Sequence, residues 1–175
     1  MAIPTVIHVG DDSCMRIPVL EITGLRVLRS GCAESEFRTV LGQADALAAV
    51  ILSDEGSDLR RTLLQSGVVE TVRDLCTAPL ILFRTSNNFC DESKFDLVIP
   101  PLTPPMLWLP NLLGAIEVSD QIRGQFYEED ESVRPKVRAE ISRAIREANR
   151  SFLNSVWRGK PPASASYQAR IKTGT

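Results

Sequence analysis

Five short apolar runs punctuate the first hundred residues. They lie at 5–9 (TVIHV), 25–28 (LRVL), 48–52 (AAVIL), 79–83 (PLILF) and 95–99 (FDLVI). Each has the length of a strand and is bounded by Gly, Pro, Ser or Asp. The runs starting at 48 and 79 are apolar at consecutive positions, which suits strands covered on both faces of a parallel sheet. The run at 25 is mixed, as expected of an edge strand.

Helical patterns fill the intervals. Residues 13–22 predict a short helix. Residues 34–41 place Phe37, Val40 and Leu41 at i, i+3 and i+4. Residues 58–76 carry Leu59, Leu63, Leu64, Val68, Val72 and Leu75, a 3.6-residue stripe, with Ser57 as its N-cap. Pro104 and Pro105 open a further helix whose apolar face is Leu109, Leu112, Leu113 and Ile116. Strands alternating with helices imply βαβ crossovers and a parallel sheet, an α/β fold. One interval breaks the rhythm. Between the fourth and fifth runs only residues 84–94 are left, and a crossover ordinarily needs a dozen or more. The helix there is expected to be short or missing.

A separate pattern follows. The acidic run Glu128-Glu129-Asp130-Glu131 precedes Pro135, which suits a first helical turn. Val137, Ile141, Ile145, Ala148, Phe152 and Val156 then recur at three- or four-residue steps, a marked amphipathic helix. Arg134, Lys136, Arg138, Arg143, Arg146 and Arg150 cover its other face, read as solvated. The composition after residue 158 is that of a flexible tail. The expected organisation is a domain over 1–125, a helical extension over 126–158 and a tail over 159–175.

Composition narrows the function. Of 175 residues, 43% are hydrophobic and 24% charged, enough for a core without metals or staples. A net charge of -2 does not advertise a nucleic-acid partner or an anionic membrane. No apolar stretch approaches the ~20 residues that span a bilayer. Met1 to Val9 lacks a basic start, so no secretory segment is expected, and a cytoplasmic setting with reduced thiols is. Cys14, Cys32, Cys76 and Cys90 form no C-x-x-C pair, and His8 is the single histidine, so a zinc site is not expected. His8 reads as a packed strand residue, since no Ser-His-Asp spacing supports catalysis.

The remaining chemistry lies at the strand ends, where open α/β sheets bind ligands. The first run ends in Gly10-Asp11-Asp12, the third in Ser53-Asp54, the fourth in Arg84-Thr85 and the fifth in Pro100-Pro101. Over residues 3–124 this order resembles the receiver domain of two-component response regulators, a flavodoxin-like, three-layer fold with a five-stranded parallel sheet. The resemblance implies an acidic pair for Mg²⁺ after strand one, a phosphate-accepting aspartate after strand three, Ser or Thr after strand four and Lys-Pro after strand five.

This chain departs from that pattern. The acidic pair is shifted by one, with Gly10 in its first position. The simplest register puts Ser53 at the acceptor position, Arg84 at the switch position with Thr85 next, and Pro100 in place of the lysine. Phosphoryl transfer to a carboxylate needs a divalent cation and a lysine to offset developing charge. Pro100 supplies no cation and Ser53 no carboxylate. The resemblance therefore implies a degenerate, non-enzymatic receiver that acts by protein–protein interaction and needs no cofactor. In a competing register Asp54 is the acceptor, and Asp11 and Asp12 hold Mg²⁺.

Simpler roles stand beside these. Asp11 and Asp12 suit a helix N-terminus, and Asp54 suits a loop. The P-x-x-P segment starting at Pro100 reads as a rigid strand-to-helix loop that admits a cis bond before Pro101. The apolar stripe of the last helix is expected to pack on the receiver or to carry a protein partner or a second copy. Membrane and nucleic-acid partners are not expected.

Overall fold

The computed structural model describes residues 2–53, 67–85, 91–126 and 130–157. The strands are β1 (Thr5–Val9), β2 (Arg26–Ser30), β3 (Leu47–Ser53), β4 (Leu80–Phe83) and β5 (Leu97–Ile99). The helices are α1 (Arg16–Ile22), α2 (Glu34–Leu41), α3 (Val68–Leu75), α4 (Pro105–Arg123) and α5 (Arg134–Trp157). The five strands form one parallel sheet in the order β2-β1-β3-β4-β5, the flavodoxin-like order, with β2 at an edge as its mixed pattern predicts.

Alternating side chains split the core in two, because successive strand residues face opposite sides of a sheet. Val6, Ala49, Ile51, Ile81, Leu97 and Ile99 join α1, α4 and α5 on one face. Ile7, Val9, Val50, Leu52, Leu80 and Leu82 join α2 and α3 on the other. The three layers explain the consecutive apolar residues: β1, β3 and β4 are covered on both sides.

Local chemistry sets the helix ends. The α4 helix begins at Pro105 behind Pro104, because proline's fixed φ suits a first turn and its missing N–H is not needed there. Its inward face holds Leu112, Leu113 and Ile116, as the spacing predicts, together with Trp108. The α1 helix starts at Arg16, three residues later than the pattern suggests. Of the stripe over 58–76, Leu59, Leu63 and Leu64, with the N-cap Ser57, lie outside the described residues; Val68 and Val72 are buried as expected, and Leu75 is exposed instead. Every peptide bond among the described residues is trans, so the bond before Pro101 is not cis.

The interval between β4 and β5 holds a single 3-10 turn among the described residues, Glu92–Lys94. The C-terminal helix α5 packs along β5 on the face that also carries α1 and α4. Val137, Ile141 and Ile145 are buried in the same cluster as Leu97 and Ile99. The first half of this extension's apolar stripe is thus covered by its own chain, while Ala148 is exposed and Phe152 and Val156 are half-buried.

Candidate functional site

At the C-terminal edge of the sheet, β1 ends at Val9 and turns at Gly10. Gly10 has φ 94°, a conformation that favours glycine over the acidic residue a receiver carries there. Asp11 is exposed. Asp12 turns back onto α1: its Oδ1 accepts the Arg16 N–H at 2.7 Å and its Oδ2 the Ile17 N–H at 3.0 Å. Both carboxylate oxygens therefore cap the helix, the simpler of the roles read for this residue. His8 is fully buried, as a packed strand residue should be, with Nε2 3.8 Å from Asp12 Oδ1.

Ser53 ends β3 and is completely buried. The register places it opposite Phe83, which in turn lies opposite Ile99. The first side chain to reach Ser53 is one that the sequence pattern did not single out. Arg16 is only 5% exposed and its Nη1 donates to Ser53 Oγ at 3.2 Å. Its guanidinium carbon lies 4.4 Å from the centroid of the Phe83 ring, a cation–π contact. Phe83 meets Trp108 edge-on, with centroids 5.1 Å apart and planes at 89°. One connected path thus runs from the end of β3 through Arg16 and Phe83 to the first turn of α4.

The remaining predicted residues are placed apart from this path. Arg84 donates its backbone N–H to Ile99 O at 3.0 Å, and its side chain pairs with Glu92 at 2.5 Å, toward the 3-10 turn. Thr85 is exposed. Pro100 is exposed, and its carbonyl accepts the Thr103 hydroxyl at 2.7 Å. Asp54 lies outside the described residues, so the register in which it accepts is not described either.

The described residues do not fit Mg²⁺. Among them no three His, Cys, Asp or Glu side chains gather to hold a metal ion. Asp12 points both oxygens at backbone N–H groups, and a fixed guanidinium sits on the Ser53 hydroxyl, where a divalent cation would be repelled.

A second constellation joins α5 to the edge of β5. Arg138 was expected on the solvated face; it is instead 6% exposed, and its Nη2 lies 3.3 Å from Asp96 Oδ2. Its Nη1 donates to the carbonyls of Cys76 at 3.2 Å and Ala78 at 3.0 Å. Asp96 also accepts the Leu80 N–H at 2.7 Å. Burial pulls the Arg138 pKa down and the Asp96 carboxylate opposes it. Arg134 donates to Asp74 O, and Arg146 donates to Ser93 O at 3.0 Å. Several arginines of the helix therefore serve backbone carbonyls rather than solvent.

Two of the described thiols are held in the protonated form. Burial raises the pKa of Cys76, and burial, Asp11 and Glu36 raise that of Cys32. Cys14 is exposed, and Cys90 lies outside the described residues. No helix of the described residues is long and apolar enough to cross a membrane.

No family model matches the chain, and no curated protein matches it. Among solved structures it is similar to RcsB from Salmonella enterica serovar Typhimurium bound to promoter rprA in the presence of the phosphomimetic BeF3-. The identity is 17% and the TM-score 0.44, over 94% of this chain and 96% of that one. A second structure, of the Salmonella typhimurium RcsB response regulator, is 15% identical with a TM-score of 0.44, over 97% of each chain. The fold rests on the chain's own strand order and layers, which are those of a flavodoxin-like, receiver-like domain with a C-terminal helix packed on it.

Proposed function

We propose that this chain is a degenerate response-regulator receiver that takes part in signal transduction by binding other proteins, without accepting a phosphoryl group and without catalysing a reaction. The observation that carries this reading is the Arg16 hydrogen bond to Ser53 at the end of β3. A receiver's chemistry needs a carboxylate, a divalent cation and a lysine near that point. Here a buried hydroxyl, a fixed guanidinium and Pro100 stand among the described residues. The guanidinium fixes a positive charge beside Ser53, where a receiver's divalent cation comes and goes.

The partner is a protein. The Val137, Ile141 and Ile145 part of the α5 stripe is covered in cis, so partner binding uses surfaces other than that part. Incubation with acetyl phosphate and Mg²⁺, read by intact mass, tests the reading. An unchanged mass supports it. A gain of one phosphoryl group mapped to Asp54 overturns it in favour of a competent receiver with Asp11 and Asp12 on Mg²⁺.

A further inference from the structure

Beside α5 runs a groove of about 710 Å³, walled by the end of α3, the 3-10 turn and α5 itself. Five arginines line it against three carboxylates, although the whole chain carries a net charge of -2. The charge is concentrated here against the average. Two of the arginines are held in place from behind: Arg73 Nη1 donates to Lys94 O at 2.8 Å and Arg146 Nη2 to Ser93 O at 3.0 Å. A guanidinium has five N–H donors in a planar fork, so one or two anchoring bonds leave others to meet an anion, and little freedom remains to be lost.

Arg146 and Arg150 stand one helical turn apart, about 6 Å along α5 at 1.5 Å per residue. Alternate side chains of an extended peptide recur roughly every 6–7 Å on one side, so two carboxylates of such a peptide can meet the two guanidinium groups. Arg143, beside them, is already paired with Glu140 and Glu147. Those two carboxylates and Asp74 repel a dense polyanion such as a nucleic-acid backbone, whereas a peptide can set neutral residues against them.

We propose that this groove docks an extended, acidic segment of a protein partner, gripped by Arg73, Arg146 and Arg150. The inference rests on the binding-module reading and gives it a surface and a partner chemistry.

The test uses the full chain and a fluorescein-labelled twelve-residue peptide rich in Glu and Asp, followed by anisotropy at low and physiological salt. A single-stranded DNA oligomer is titrated in parallel. The peptide binds, binding weakens with salt, and the variant Arg150→Glu loses affinity by about tenfold or more. Arg150 is exposed on α5, and an unchanged urea midpoint shows that the variant is folded. The milder Arg150→Gln gives an intermediate loss. No peptide binding, binding indifferent to both variants, or tighter binding of the DNA overturns the proposal. Absent peptide binding leaves the phosphoryl reading standing. Phosphoryl uptake sinks that reading whatever the peptide does.

Discussion

Arg138 of α5 and Asp96 at the head of β5 form a buried ion pair, 3.3 Å apart, that ties the C-terminal helix to the sheet edge. The guanidinium also serves the carbonyls of Cys76 and Ala78, and the carboxylate the N–H of Leu80. The pair is therefore surrounded by partners that offset part of its desolvation. Replacing Arg138 by Met leaves the Asp96 charge buried and unpaired by its cation. The expected loss is about 3–5 kcal/mol in urea unfolding. The double variant Arg138→Met/Asp96→Asn recovers part of it, because no full charge is then stranded. Equal losses in the single and double variants would count against the pair.

Ile141 is 1% exposed and lies in the cluster that holds Leu97 and Ile99. Ile141→Ala is expected to destabilise the whole domain by about 2–5 kcal/mol, in one transition, since α5 shares the core. A chain ending at Gln125 should likewise unfold at lower urea. If the truncated chain keeps its midpoint and its oligomeric state, α5 is an independent effector.

Glu34 links α2 to α3. Its Oε1 accepts from Arg38 Nε at 2.9 Å and from the Thr71 hydroxyl at 3.2 Å. The Arg38 bond, then the Thr71 bond, lowers its pKa below the ordinary 4.5. A depressed carboxylate stabilises the fold above its unfolded pKa and loses that contribution as pH falls through the folded one. The stability gap between wild type and Glu34→Gln should be constant at neutral pH and shrink below about pH 4.5. A gap that grows in acid contradicts the assignment.

The exposed Cys14 should react with iodoacetamide at pH 7 before Cys32 and Cys76, whose pKa values burial raises. Peptide mapping of the alkylated chain checks the order. Faster labelling of Cys76 than of Cys14 would contradict it.

How far the sequence could be read depended on the kind of signal. Layers and strand order were legible because consecutive apolar runs and their spacing follow from burial on both faces, and α2 matches its pattern residue for residue. The two buried arginines were not, because a charged residue within an apolar pattern is assigned by habit to solvent. Spacing did hold a clue. Arg16 stands four before Leu20, and Arg138 three before Ile141 and seven before Ile145, so each lies on its helix's inward stripe. Asp96, a lone carboxylate between Phe95 and Leu97, marked where one of them would pair. The Arg16 bond to Ser53 was out of reach, since it joins residues 37 positions apart through a contact that only the folded sheet creates.

Arg16 sits on the Ser53 hydroxyl at the end of β3, and under the proposed reading that contact stands where a receiver's cation and phosphoryl group would act. Titration with Mg²⁺ and beryllium fluoride, followed by the backbone amide signals of Asp11, Asp12 and Ser53, tests it most directly. The predicted result is no saturable shift at any of the three. Saturable, Mg²⁺-dependent shifts at all three would contradict it.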